Sequence, residues 1–212
     1  MNRITATLVG FAASMIATAA MAVAVSGQIS LGGYAQSNTG SMGTATGLAF
    51  ANAAGSAVAG TSGVLTSFGA GSGSFAALGA CSSTTTGCGS IQDIANFATE
   101  ANVVPYLVFN TGAGPAVRFD LTAISGVTRN TGAGQNSLTV TAFGIIEFEG
   151  FANTLGQFIL TSEGNGIDSY SATLLAAAPP PAPSGVPEPG TVALLGLGLL
   201  AVGAAKRRVP RA

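Results

Sequence analysis

The sequence predicts an all-β fold, an antiparallel β-sandwich, and three observations support this prediction. Apolar and polar residues alternate with a period of two in several stretches of the second half of the chain, which is typical of strands with one buried face. Glycine-rich clusters that favour turns separate these stretches. No stretch has the sustained 3.6-residue apolar period of a long amphipathic helix. Short strands joined by such turns favour a sandwich.

The predicted strands of the second half begin with the apolar stretch Val103–Phe109. Four alternating stretches follow, and their expected inward-facing residues are Val117, Phe119 and Leu121, then Leu138, Val140, Ala142, Ile146 and Phe148, then Phe158 and Leu160, then Tyr170, Ala172 and Leu174. Turns are expected at residues 110–115, 130–134 and 163–166, where asparagine and glycine cluster.

Residues 35–90 give a weaker pattern because they are rich in glycine, serine, threonine and alanine. We expect strands at Leu48–Ala51 and Ser74–Leu78, with partial disorder as the alternative. Residues Ile91–Glu100 predict one or two helical turns. No fixed-period repeat is present, which disfavours a solenoid.

Charge is scarce and unevenly placed. Of the 212 residues only 7% are charged, against about 25% in ordinary soluble domains. The apolar residues concentrate at the two ends, and the roughly 150 residues between them suit one domain, which we place at residues 25–175. From Val25 to Gly185 two arginines stand against seven carboxylates. Such a surface repels phosphate backbones, so no nucleic-acid partner is expected.

The N-terminal segment has the pattern of a signal peptide over residues 1–24. Arg3 gives a positive start, an uncharged apolar run follows to Val25, and alanines at 20, 22 and 24 offer small-residue cleavage sites. This pattern predicts export by the Sec machinery. The alternative is a retained transmembrane helix, for which the run is long enough.

The C-terminal segment has three parts in a fixed order. A proline-rich linker at residues 176–185 leads to Pro187, Glu188 and Pro189. The apolar run Thr191–Ala205 follows. As a helix it would span roughly 22 Å, which is shorter than the hydrocarbon core of about 30 Å. A longer helix or a thinner bilayer would make up the difference. The last part is the basic cluster of Lys206, Arg207 and Arg208. By the positive-inside rule this cluster stays cytoplasmic and the domain faces outward.

This order of parts resembles the PEP-CTERM sorting signal, which we place at residues 186–212. The resemblance implies that an exosortase, a membrane transpeptidase-like enzyme, recognises and cleaves the chain near Pro187, Glu188 and Pro189. The chain would sit transiently in the inner membrane and then reach the cell surface or the medium. A plain membrane anchor on a proline-rich stalk is the alternative. The same tail is also found on proteins labelled ice-binding.

A second, shorter resemblance concerns the last predicted strand pair. Extracellular domains joined to this tail carry Gly-x-Phe-x-Leu-Thr, a glycine-rich turn, and then an aromatic-Ser-Ala-Thr. The matching residues here are Gly156, Phe158, Leu160 and Thr161, followed by residues 170–173.

The two cysteines, Cys81 and Cys88, enclose a short polar loop. In an exported protein such a pair predicts a disulfide. Free thiols are one alternative, and metal or redox chemistry is another. A redox site favours a tighter spacing, and a zinc site needs more ligands than a chain without histidine supplies.

Catalytic, cofactor and metal sites are not expected. Without histidine no hydroxyl has an imidazole base. Glu147 and Glu149 are two residues apart, so they predict a solvated strand face, although a carboxylate pair could also serve a hydrolase. The segment 163–168 predicts a hairpin turn, with a calcium site as the alternative. The Thr139–Thr141 alternation is too isolated to predict an ice-binding face.

These observations together predict an exported, non-catalytic surface or matrix protein. One form of this prediction links the protein to exopolysaccharide or biofilm. A secreted carbohydrate-binding or hydrolytic module on the same tail is the alternative, and an ice-binding protein is another. A concave pocket lined by converging acids or aromatic rings would favour the carbohydrate-related alternative.

Overall fold

Ten antiparallel strands are present in the computed structural model, which describes residues 22–52, 56, 62–83, 85–100, 102–110, 112, 114–132, 136–176 and 196–197. The strands are β1 (Gln28–Ser37), β2 (Leu48–Phe50), β3 (Ser62–Phe68), β4 (Cys81–Ser82), β5 (Gly89–Gln92), β6 (Val103–Phe109), β7 (Val117–Asn130), β8 (Ser137–Phe148), β9 (Thr154–Glu163) and β10 (Ile167–Ala176). Two short 3₁₀ helices cover Met42–Thr44 and Gly73–Leu78.

The sheet closes on itself as a barrel of eight strands. Its neighbours follow the order β1, β10, β9, β8, β7, β6, β5, β3, and β3 returns to pair with β1, where Leu31 lies opposite Phe68. The short strand β2 pairs with the end of β1, and the short strand β4 pairs with the end of β3. The antiparallel all-β prediction is confirmed, but the sandwich is wrong. Because β1 is paired along both edges, no gap separates two stacked sheets.

Register shifts bend the long strands enough for closure. In β7 the pairing with β8 slips between Leu121 and Ala123 and again between Ile124 and Gly126. A third shift lies in the pairing of β1 with β3, where Gly32 and Gly33 pair with Ser67 and Leu65 and the extra residue is on β3. An extra residue on one strand of a pair bends that strand and increases its twist. These shifts therefore supply the curvature that a closed barrel requires.

Aromatic rings fill the barrel interior. Tyr106 lies edge-on to Phe158, with ring centroids 5.4 Å apart, and Phe50 lies edge-on to Tyr170 at 5.3 Å. Edge-to-face packing of this kind adds to the stabilisation that burial alone provides. All the inward-facing residues predicted from alternation between residues 117 and 174 are buried, so that part of the prediction is confirmed.

Two glycines make room for one of these rings. Gly144 on β8 lies directly opposite Gly156 on β9, and a Cβ built on Gly144 would meet the Phe119 ring at 2.6 Å. A Cβ on Gly156 would approach the same ring at 3.3 Å. The ring thus covers a cross-strand glycine pair. This contact gives a physical reason for the glycine of the Gly-x-Phe-x-Leu-Thr segment.

Burial of the two interior tyrosines makes stability depend on alkaline pH. Burial, together with the nearby Tyr170 and Asp93, raises the pKa of Tyr106 well above its usual value. Burial also raises the pKa of Tyr170. Both hydroxyls are therefore neutral in the folded chain at a pH where the unfolded tyrosines, with a pKa of about 10, already ionise.

We therefore expect the free energy of unfolding to fall as the pH rises through 10 and above. Urea unfolding at a series of pH values measures this fall. The double variant Tyr106→Phe, Tyr170→Phe should lose most of the pH dependence, whereas Tyr34→Phe should retain it because Tyr34 is 40% exposed. Equal alkaline slopes for all three proteins would contradict this explanation.

The first half of the chain departs from the sequence prediction in several places. The strand expected at Leu48–Ala51 is present as β2. The strand expected at Ser74–Leu78 is wrong, because these residues form the second 3₁₀ helix, whose Phe75 side chain is buried. Of the helical turns expected at Ile91–Glu100, one turn is found, where the Glu100 amide donates to the Asn96 carbonyl at 2.9 Å.

Both ends of the described domain emerge at one end of the barrel, which we call the terminal pole. At this pole β1 begins and β10 ends, with Gln28 opposite Leu175. The β8–β9 connection lies at the same pole. Upstream, Val25 is fully buried, and its amide donates to the Thr154 hydroxyl at 2.8 Å. Val25 is therefore the first core residue within the described part of the chain.

The two predicted terminal helices lie outside the described residues, except that residues 196–197 are helical. Within the part of the chain that the structure describes, no helix combines the length and apolarity needed to cross a membrane. Residues Met21–Pro180 form one compact unit.

Candidate functional site

A concave groove lies at the terminal pole, at the junction of β6, β7 and the β8–β9 connection. Its volume is about 420 Å³. Charged and amide side chains line the groove together with apolar side chains. The residues used below are Arg118, Glu147, Glu149, Phe151 and Asn153, and we call this feature the terminal groove.

An ion pair organises the polar side of the groove. Arg118 and Glu147 face each other across β7 and β8, and their Nη2 and Oε2 atoms are 2.7 Å apart. The Asn153 amide donates to the other Glu147 oxygen at 3.4 Å. The hydrogen bond to Glu147 raises the pKa of Arg118, with a further contribution from Asp120. The Glu147 carboxylate is therefore held on both oxygens.

Asp120 lies behind this pair and is nearly buried. Its Oδ1 is 3.8 Å from the Arg118 Nε and has no hydrogen-bond partner. Burial raises the pKa of Asp120, although the Arg118 charge acts in the opposite direction. The burial effect prevails because 3.8 Å is too long for a charge-assisted hydrogen bond. Arg118 therefore orients toward Glu147 and not toward Asp120.

The remaining wall comes from the β8–β9 connection. Glu149 accepts a hydrogen bond from the Ala116 amide at 3.3 Å, which ties this connection to the start of β7. Phe151 is partly exposed, and its ring lies 4.8 Å from that of Phe148. Phe148 is itself buried, so the Phe151 ring rests on the core, and Phe151 also lines the groove.

The structure places the two sequence-predicted carboxylates in different settings. Glu147 is on the outer face of β8, as expected, but Glu149 follows the end of that strand. Both line the groove, so the expectation of a plain solvated strand face is too simple. The sequence did not single out Arg118, Phe151 or Asn153 as site residues. The contact between Arg118 and Glu147 would have marked the site, but predicting that contact requires knowledge of the β7–β8 register.

Cys81 and Cys88 form a disulfide with a Cα–Cα distance of 5.8 Å, which confirms the predicted pairing. Cys88 is buried, and its bond ties β4 to the start of β5 at the terminal pole. In the chain-entropy description, closing a loop of this length removes about 2.5 kcal/mol of unfolded-state entropy.

Replacing both cysteines by alanine should therefore lower the free energy of unfolding by about 2–3 kcal/mol. Urea denaturation of the purified variant and of the oxidised wild type measures the difference. The wild type treated with reductant should match the variant within the error of the fit. A variant as stable as the oxidised protein would contradict this role of the disulfide.

The segment 163–168 is a hairpin turn, as predicted. Gly164 and Gly166 have φ values of 111° and 102°, which glycine adopts at little cost. The Asn165 side chain accepts from the Asn136 amide at 2.8 Å. In the described residues no group of three or more histidine, cysteine or acidic side chains is arranged to hold a metal ion.

Threonines of the outer face line up across strands but not as a regular array. Thr139 pairs with Thr128 on one side and with Thr161 on the other, and Ser171 follows on β10. The Thr161 hydroxyl donates to the Ser171 carbonyl at 3.3 Å. The next row on β9 has Ile159 at the equivalent position. The row therefore does not repeat along the strands.

The predicted sorting residues lie outside the described residues. These residues are Pro187, Glu188 and Pro189, with Lys206, Arg207 and Arg208. Residues 185–208 match the family model of the PEP-CTERM protein-sorting motif. The chain thus carries this motif, which indicates exosortase-dependent export and cell-surface sorting. No curated protein and no solved structure matches the chain.

Proposed function

We propose that this protein is an exported, non-catalytic component of the cell surface or extracellular matrix, delivered by exosortase processing of its C-terminal tail. The observation that carries the proposal is the match of residues 185–208 to the PEP-CTERM motif. Export begins at the Sec machinery, with residues 1–24 as the signal peptide. The C-terminal apolar segment then holds the protein transiently in the inner membrane until the tail is processed.

The barrel is compatible with removal of both terminal segments. Val25 is the first core residue, and Ala24 pairs with Ala152 as an isolated bridge. Cleavage after Ala22 or Ala24 would leave the core whole. At the other end the last strand stops at Ala176, ahead of the proline-rich linker. The disulfide suits an oxidising compartment outside the cytosol.

The chemistry of the side chains supports the proposal of a non-catalytic role. The chain contains no histidine, so a serine or threonine nucleophile has no imidazole base. Glu147 is committed to Arg118, and Glu149 accepts from the Ala116 amide. Both carboxylates are therefore engaged in contacts within the chain.

The proposal is tested by replacing the acid of the sorting motif. With Glu188→Ala we expect the unprocessed form to accumulate in the membrane fraction and the surface form to fall by at least about ten-fold, as for loss of a charged recognition contact. Cell fractionation followed by intact mass measurement gives both quantities. Glu163→Ala is the matched control, because it removes an exposed barrel carboxylate and should be processed like the wild type. Equal masses and locations for the wild type and Glu188→Ala would contradict the proposal.

A further inference from the structure

We propose that the terminal groove binds an uncharged, hydroxyl-rich saccharide. This inference goes beyond the sorting function, since it concerns the folded barrel and not its tail. The groove volume of about 420 Å³ lies within the range of small-ligand pockets, about 300–1,000 Å³. Its lining joins an aromatic ring to a planar hydrogen-bonding edge, which matches a sugar ring with its apolar C–H face and its polar rim.

The aromatic side is Phe151. This ring is partly exposed to the groove and rests on Phe148, with centroids 4.8 Å apart and planes inclined by 46°. A ring backed by the core has little rotamer freedom left to lose when a ligand covers it. It offers an apolar surface against which the C–H face of a pyranose can pack.

The polar side is the row Arg118–Glu147–Asn153. The Glu147 carboxylate forms an ion pair with the Arg118 guanidinium at 2.7 Å and accepts a hydrogen bond from the Asn153 amide at 3.4 Å. Three planar polar groups are therefore neighbours. The row offers free N–H donors of Arg118 and unused lone pairs of Glu147. Neighbouring hydroxyls of a sugar each donate and accept, so they can bridge such a row. Its members are fixed before binding, which lowers the entropic cost.

The charge of the groove selects against acidic saccharides. Glu147 and Glu149 line the groove together with one guanidinium, that of Arg118, which Glu147 already neutralises. The surrounding domain adds to this negative field, because seven carboxylates stand against two arginines between residues 25 and 185. A uronate, sulfate or phosphate group would therefore be repelled. Neutral hexose polymers remain as the class that fits.

Native affinity electrophoresis of the purified protein tests this inference directly. Gels would contain dextran, mixed-linkage β-glucan, galactomannan or polygalacturonate, with a polysaccharide-free gel as reference. We expect retardation by at least one of the three neutral polymers and none by polygalacturonate. For the neutral polymer that retards the wild type, Phe151→Ala and Asn153→Ala should each raise the apparent dissociation constant by at least about ten-fold, as for loss of a central contact in a binding site.

Two matched controls separate binding from folding and charge. Phe143→Ala removes an exposed ring from the outer face of β8, and Glu163→Gln removes a distant exposed charge; both should bind like the wild type. Each variant must give a single cooperative urea unfolding transition, so that binding is compared among folded proteins. Asn153 is exposed, so its truncation leaves the core intact. Absence of retardation by all three neutral polymers, retardation by polygalacturonate alone, or unchanged binding by both groove variants would overturn the inference. Because none of these outcomes depends on tail processing, they leave the sorting proposal untouched.

Discussion

Replacing Phe119 by alanine is expected to lower the free energy of unfolding by about 3–5 kcal/mol, the range found for buried phenylalanines. Its side chain is fully buried and contacts the rings of Tyr106 and Phe158, with centroids 6.3 and 6.1 Å away. It also covers the Gly144–Gly156 pair, which has no side chains to collapse into the space left behind. Urea denaturation measures the change.

The matched control is Phe143→Ala. Phe143 is on the same sheet but points outward and is 44% exposed, so its truncation should change stability by less than about 1 kcal/mol. A comparable loss of stability for the two variants would contradict the assignment of inner and outer faces. A loss below about 1 kcal/mol for Phe119→Ala would contradict the packed interior.

Reversing the basic end of the tail is expected to reduce the surface-located form by at least about ten-fold, because the positive-inside rule retains this cluster in the cytoplasm. The variant is Lys206→Glu, Arg207→Glu, Arg208→Glu. With acidic residues at these positions, the segment Thr191–Ala205 loses the feature that fixes its orientation. Quantitative immunodetection of the surface and membrane fractions measures the change.

A charge-preserving variant controls for the identity of these side chains. Lys206→Arg, Arg207→Lys, Arg208→Lys keeps all three positive charges and should be sorted like the wild type. If the charge-reversed and charge-preserving variants reach the surface equally, the basic cluster has no part in sorting. If both fail equally, the side chains act through specific contacts and not through charge.

The strands of the second half could be predicted because their inward positions hold large apolar residues. β6 has the predicted bounds Val103–Phe109, and β8 to β10 bury the predicted residues. The pattern failed for β1, whose inward positions include Gly33, Ala35 and Ser37. Small residues are required at Gly33 because the Tyr170 hydroxyl would meet a Cβ there at 2.7 Å. Beyond Leu31, the inward positions of β1 therefore hold no large apolar residues.

Closure into a barrel could not be predicted from alternation. An inward-facing period of two is the same whether the inner face meets a second sheet or the far wall of its own barrel. The difference rests on the pairing of β1 with β3, where Leu31 meets Phe68. Nothing in the local sequence of either strand specifies that long-range contact.

The candidate site was partly visible in the sequence. Glu147 and Glu149 stood out because they are two residues apart, but their partners come from elsewhere in the chain. Arg118 reaches Glu147 only through the β7–β8 register, and Asn153 reaches it by the chain reversal after β8. The sorting tail was fully visible, since its three parts are contiguous and depend on order and not on folding.

The mass of the wild-type protein recovered from the cell surface tests the central claim most directly. Processing at both ends predicts an intact mass for a chain that begins at residue 23 or 25 and ends near Glu188, with the Cys81–Cys88 disulfide intact. Recovery of the whole 212-residue chain, uncut and within the cytosol, would contradict the account.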